Sequence, residues 1–174
     1  MKRHLKKVYG YSNFRPYQEE IIQNVLDGGN SIVQFPTGGG KSMCYQFPAT
    51  FTGKTSIVVS PLISLMEDQR LYLEKSGISS LCLNGSSSSG NSFLRRGTGS
   101  NLKNVRVVYC TPEYINTHPD VFLAIKDDIC LIAIDEAHCI SQWGADFRPS
   151  YKKLRTLTAK FPTIPIMLLT ATAT

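Results

Sequence analysis

The sequence predicts an α/β fold in which a mostly parallel central sheet lies between two helical layers. Two observations predict it. Short apolar, β-branched runs recur at 31–35, 56–60, 81–83, 105–110, 129–134 and 166–170. Their apolar residues run on without alternating, so they read as strands buried on both faces. Helical patterns separate several of these runs, and such alternation favours a parallel sheet with ligands gathered at the carboxyl ends of its strands. With 174 residues, 42% hydrophobic and 18% charged, the chain can bury one sizeable core. A single domain over residues 1–174 without internal repeats is therefore expected.

The first helix is expected over 15–26, where Ile21, Ile22, Val25 and Leu26 share a face and Gly28-Gly29 supplies a stop. A second is expected over 61–76. Ser60 can cap it, Pro61 suits the first helical position, and Leu62, Leu65, Met66, Tyr72 and Leu73 form an apolar stripe closed by Gly77. The Gly- and Ser-rich stretch at 84–101 has the composition of a flexible surface loop.

The five cysteines are widely spaced, with no C-x-x-C pair, and read as reduced packing residues rather than as a zinc site. No run of eighteen apolar residues occurs, and the basic N-terminus lacks the apolar stretch of a signal peptide. A soluble, intracellular protein without a membrane partner is expected. The net charge of +6 suits a polyanion partner, because cations placed on phosphates release counterions, but many basic domains bind no nucleic acid. The run Lys2-Arg3-His4 with Lys6 and Lys7 reads either as a DNA-contacting arm or nuclear address or, more simply, as a solvated helix face.

Chemistry enters after the first strand, at Pro36-Thr37-Gly38-Gly39-Gly40-Lys41-Ser42, followed by a helix-compatible stretch at 43–47. Glycines let successive N–H groups turn onto phosphate oxygens, and the loop opens onto a helix N-terminus whose dipole favours anions. Lys41 is placed to reach the β- and γ-phosphates of ATP, and the Ser42 hydroxyl to ligate Mg²⁺. Phe35 stands where the general G-x-x-x-x-G-K-[ST] pattern has its first glycine, which leaves the shorter T-G-x-G-K-[ST] form.

The fifth strand runs into Asp135-Glu136-Ala137-His138. Alternation points neighbouring side chains different ways, so Asp135 can face the Mg²⁺ shell while Glu136 reaches the attacking water as general base. An acidic pair after a strand is by itself more often a solvated turn. Paired with the phosphate loop it points to nucleotide hydrolysis. His138 reads either as a surface histidine or as a link between the nucleotide and a second site.

Taken as one ordered set, these motifs resemble the first RecA-like lobe of RecQ-family DNA helicases of superfamily 2, with a DEAH-type motif II. The resemblance spans essentially the whole chain. It implies a three-layer α/β/α P-loop NTPase fold, and an adenine-recognition role for Tyr11, Arg15 and Gln18 in the segment Tyr9-Gly10-Tyr11 to Gln18. The segments at 58–69 and 109–113 are similar to motifs Ia and Ib, which in the family touch the DNA backbone and suggest contacts at Ser60 and Thr111. The stretch Ala137 to Pro149 resembles the aromatic-rich loop appended to motif II in RecQ enzymes. In it Trp143 and Phe147 offer stacking faces for unpaired bases and Arg148 a cation, although any one aromatic usually packs into a core. Ala145 departs from the family's more frequent histidine. The run Leu168-Leu-Thr-Ala-Thr172 matches motif III, with Thr170 and Thr172 as coupling residues.

The resemblance further implies that ATP hydrolysis drives strand separation in DNA repair or recombination, in the nucleus of a eukaryote and otherwise in the cytoplasm. The wording of motifs Ia and Ib leans toward a Werner-type branch. The chain is expected to stop before a second lobe, which in this family carries arginine fingers, and so to bind Mg-ATP weakly and not to unwind DNA alone. Two alternatives stay open: a non-catalytic nucleotide- or DNA-binding module, and an RNA helicase or translocase lobe of the same superfamily.

Overall fold

A computed structural model describes residues 1–85, 99–140 and 148–171. Six strands form one sheet: β1 (Ser31–Gln34), β2 (Thr55–Val59), β3 (Ser80–Leu83), β4 (Val107–Cys110), β5 (Ile129–Ile134) and β6 (Ile166–Thr170). Their order is β1-β6-β5-β2-β4-β3, and every pairing is parallel. Each crossover therefore returns the chain to the same edge, so all the loops that leave strand carboxyl ends gather on one side.

Alternation along the central strands explains why their sequences are largely apolar, with Thr55 and Ser56 as buried exceptions at the start of β2. Ile57, Val59, Val108, Cys110, Ile132 and Ile134 enter one core, while Val58, Val107, Tyr109, Leu131 and Ala133 enter the other. The second core is closed by residues of α2 (Gln18–Leu26), α3 (Lys41–Thr52) and α4 (Ile63–Lys75). The first is closed by α5 (Pro112–Thr117), α6 (Pro119–Leu123), α7 (Pro149–Lys152) and α8 (Leu157–Lys160). The expected three-layer arrangement is thus present.

β1 departs from the expectation of a strand buried on both faces. Only Val33 is buried, Gln34 is exposed, and Ile32 is 81% exposed. β1 is an edge strand paired only with β6, and no described helix covers its Ile32 side.

Two helices begin later than their patterns suggest. α2 starts at Gln18 rather than at 15, because Pro16 disfavours a helical residue before it and Tyr17 takes a left-handed conformation at φ 69°. α4 starts at Ile63 rather than at 61. Leu62 is extended, and the Ser60 hydroxyl accepts the Leu62 N–H at 3.5 Å instead of capping the helix. The apolar stripe read along α4 divides: Met66 and Leu73 are buried, while Leu62, Leu65 and Tyr72 are exposed.

The N-terminal segment, α1 (Lys2–His4) and a π-turn over Leu5–Tyr9, packs on α3. Leu5, Ile22, Met43 and Phe47 form a third apolar cluster, and His4, Tyr9 and Phe14 set their rings on Phe47 with centroids 5.1–6.1 Å apart. Lys2, Arg3, Lys6 and Lys7 are exposed, as a solvated face requires. Within the predicted 84–101 loop, Asn84 is buried and Gly99–Asn104 form a 3-10 helix, while 86–98 lie outside the described residues. All five cysteines are free, and burial pushes the Cys44 and Cys82 thiols up to about 12, as inert packing groups require.

Candidate nucleotide site

A cavity of about 790 Å³ opens where the N-terminal segment, the phosphate loop, α4 and the end of β5 converge. Tyr11, Arg15, Gln18, Thr37, Gly38, Gly40, Lys41, Ser42, Asp135 and Glu136 all line it.

The loop after β1 is shaped by its glycines. The Gly39 N–H donates to the Pro36 carbonyl at 2.8 Å, and Gly38 and Gly40 take φ values of 78° and 90°, a region that favours residues without a Cβ. Two side chains from the preceding segment tie down this backbone. Arg15 Nη1 donates to the Gly38 carbonyl at 2.6 Å, and Gln18 Nε2 to the Gly40 carbonyl at 3.0 Å, while Gln18 Oε1 accepts the Arg15 N–H at 2.8 Å. A Cβ on Gly40 would meet Gln18 Nε2. Gly40→Ala is accordingly expected to lower stability by about 1–3 kcal/mol, read as a drop in melting temperature, because it adds both a left-handed non-glycine residue and this clash.

Gly40 also caps α3, so Lys41 and Ser42 stand in its first turn, where the helix dipole favours an anion. Lys41 Nζ lies 3.7 Å from Asp135 Oδ1, both side chains being largely buried. The Asp135 N–H continues the sheet by donating to the Val59 carbonyl at 2.8 Å, and its own carbonyl accepts the Tyr151 hydroxyl at 2.9 Å. The chain then turns sharply, with Glu136 at φ 55°. This left-handed residue brings both carboxylates to the same cavity, where plain strand alternation would have separated them.

From Glu136 the contacts run on. His138 Nδ1 is 3.3 Å from Glu136 Oε2 and 3.3 Å from Thr170 Oγ1 at the end of β6. Lys41, Asp135, Glu136, His138 and Thr170 thus form one connected series across three strand ends.

The residues expected to touch DNA divide differently. Ser60 and Thr111 are buried, with their N–H groups donating to Cys110 and Leu83 carbonyls. The Thr111 hydroxyl caps α5 by accepting the Tyr114 N–H at 3.2 Å. Ser60 therefore serves the sheet, Thr111 serves both the sheet and the start of α5, and neither N–H is offered to a phosphate. Arg148 is exposed. Trp143, Phe147 and Thr172, with Ala145, lie outside the described residues.

Sequence reasoning missed the contribution of α4, whose Leu65, Asp68, Gln69 and Tyr72 line the cavity, and that of Tyr151, which holds the Asp135 carbonyl. No mark in the sequence separates the cavity-facing Leu65 and Tyr72 from the buried Met66 and Leu73 of the same stripe.

Residues 15–174 match the DEAD/DEAH box helicase family, and the chain belongs to that family. Within it, similarity to RecQ-type helicases spans nearly the whole sequence. ATP-dependent DNA helicase RecQ of Haemophilus influenzae is 46% identical over 171 residues, covering 97% of this chain and 27% of that protein. A protein of Acanthamoeba polyphaga mimivirus, by its name an ATP-dependent RNA helicase, is 47% identical over 176 residues, covering all of this chain and 32% of its own length. The chain therefore spans about a third or less of the length of these relatives. Among solved structures, the DUF1998 helicase MrfA bound to DNA and AMPPNP superimposes with a TM-score of 0.75 at 20% identity, over 98% of this chain and 26% of that one. This likeness establishes the helicase RecA-like fold.

Proposed function

We propose that this chain is the ATP-binding lobe of a RecQ-like, ATP-dependent DNA helicase, and that with a second RecA-like lobe as partner it couples ATP hydrolysis to strand separation in DNA. The observation that carries the reading is the single cavity that joins the phosphate loop, the acidic end of β5 and the Tyr11–Gln18 segment. A non-catalytic binding module has no need of the water-activating Glu136 in that same cavity.

The residues present fit Mg-ATP. Ser42 and Asp135 supply the hard oxygen donors that Mg²⁺ takes, and Lys41 supplies a point charge for the β- and γ-phosphates. Thr37, Gly38 and Gly40 present backbone to the phosphate chain, Gly39 closing the turn on Pro36 behind them, and the left-handed glycines allow the close approach. Tyr11, Arg15 and Gln18 hold the adenine end, with Gln18 and Arg15 positioned by their bonds to the loop. Glu136 orients and deprotonates the attacking water, and His138 carries the state of Glu136 to Thr170 and Thr172. The bound metal would neutralise charge developing on the phosphate oxygens. Trp143, Phe147 and Arg148 serve as the sensor for unpaired DNA. A role in DNA repair or recombination, nuclear in a eukaryote and cytoplasmic otherwise, belongs to the same reading.

Calorimetric titration of the 174-residue chain with ATP tests the nucleotide assignment. Binding in Mg²⁺ is expected to exceed binding in EDTA by about tenfold or more, since without the metal only Lys41 offsets the repulsion between Asp135, Glu136 and the phosphates. Absence of ATP binding in Mg²⁺ would overturn the proposal. Fluorescence anisotropy with single-stranded DNA and RNA of one sequence tests the polymer, and a preference for RNA would reassign the substrate.

A further inference from the structure

We infer that Leu65, Asp68, Gln69 and Tyr72 of α4 form a second wall of the nucleotide cavity, in which Tyr72 is a binding residue that stacks on the base beside Tyr11. The inference rests on the nucleotide reading above and extends it to a helix that the sequence assigned to core packing and DNA contact.

Positions 65, 68, 69 and 72 fall on one helical face. All four line the cavity that holds Lys41, Ser42 and Asp135. The face is held rigidly. Met66 and Leu73 anchor the helix in the core, and Gln46 Nε2 of α3 donates to Gln69 Oε1 at 3.4 Å. Elsewhere on α4, Arg70 bridges Glu67 and Glu74.

The cavity is zoned chemically. Lys41, Ser42, Asp135 and Glu136 supply charge and metal-type donors, whereas Tyr9, Tyr11, Leu65 and Tyr72 supply ring faces and apolar surface. Tyr11 and Tyr72 are about half exposed, at 51% and 54%. Two large aromatic side chains left open on one cavity are the arrangement a planar ligand requires, since stacking on a base recovers the burial they otherwise lack. The two side chains influence each other: burial first, and then Tyr11, hold the Tyr72 phenol above its ordinary value. Tyr9 joins this group. Its phenol is pushed up to about 12 chiefly by burial, with Tyr72 among the lesser causes. Asp68 adds a carboxylate that can accept hydrogen bonds from ribose hydroxyls and repels a further phosphate. The ligand class this zoning selects is a nucleoside triphosphate laid from the loop toward α4.

The test compares Mg-ATP with Mg-tripolyphosphate, which shares the phosphates and lacks the nucleoside. Tyr72→Ala is expected to weaken Mg-ATP binding about tenfold and to leave tripolyphosphate binding unchanged, while Tyr72→Phe keeps most of the ATP affinity. Equal losses for both ligands, or an unchanged ATP affinity, would overturn the inference. If Tyr72→Ala does not fold, Tyr72→Leu against Tyr72→Phe makes the same comparison with apolar bulk retained. A wild-type chain that binds neither ligand would overturn the nucleotide reading itself, a result distinguishable from failure at Tyr72 alone.

Discussion

Replacing Lys41 with alanine is expected to weaken Mg-ATP binding by about 100-fold while the melting temperature changes little. The magnitude follows from loss of charge-assisted hydrogen bonds to phosphate, worth about 1.5–3 kcal/mol. Lys41 is the loop's cation and stands in the first turn of α3, where backbone dipoles already favour an anion. Those dipoles survive the substitution, so residual binding is expected. The stability effect is small because the pair with Asp135, at 3.7 Å, is too long for a hydrogen bond, and Asp135 Oδ1 keeps the Glu136 N–H as donor at 3.0 Å. Lys41→Arg separates charge from shape: its fork is wider than a compact ammonium, and only partial recovery is expected. Calorimetry and thermal melting measure the two quantities, and ATP affinity within threefold of wild type in Lys41→Ala would sink the assigned role.

Phe47→Ala is expected to cost about 3–5 kcal/mol, a fall in melting temperature of about 10 °C, and to weaken ATP binding without touching the cavity. Phe47 is fully buried on α3. The rings of His4, Tyr9 and Phe14 pack on it, and Tyr9 is further fixed by its hydroxyl 3.0 Å from Thr50 Oγ1. This cluster seats the segment that carries Tyr11, Arg15 and Gln18 over the phosphate loop. Its loss therefore acts on both the core and the site. Phe51→Ala provides the contrast: Phe51 also stacks on Phe47 but is 42% exposed, so a smaller loss of stability is expected, with ATP affinity retained. A Phe47→Ala variant that melts lower yet binds ATP as wild type would show that the segment is seated by its hydrogen bonds to the loop alone.

Much of the fold was legible because it is written in contiguous stretches. The central strands β2, β4 and β5 are apolar on both faces, and the structure buries both faces. Ile32 is no less apolar than Ile57, but whether a strand lies at an edge depends on partners far away in sequence. Helix starts failed for local reasons: a proline at 16 and an extended Leu62 displaced the beginnings by two or three residues. The phosphate loop and the acidic strand end were legible as motifs, since their chemistry needs neighbouring residues in fixed order. The α4 wall was not, because an apolar stripe carries no mark of which members face a core and which face a ligand. Ser60 and Thr111 illustrate the converse: correctly placed at strand ends, their N–H groups proved to be consumed by neighbouring strands.

The left-handed turn at Glu136 ties two demands to one position. A glycine there would relax the backbone, removing about 1–3 kcal/mol of strain, but would delete the carboxylate the chemistry needs. Heat resistance is therefore harder to gain here than at Tyr17, whose left-handed φ of 69° is tied to no carboxylate. Backbone strain and the proposed chemistry meet at the same residue, so on warming the turn at Glu136 is expected to loosen before the sheet does.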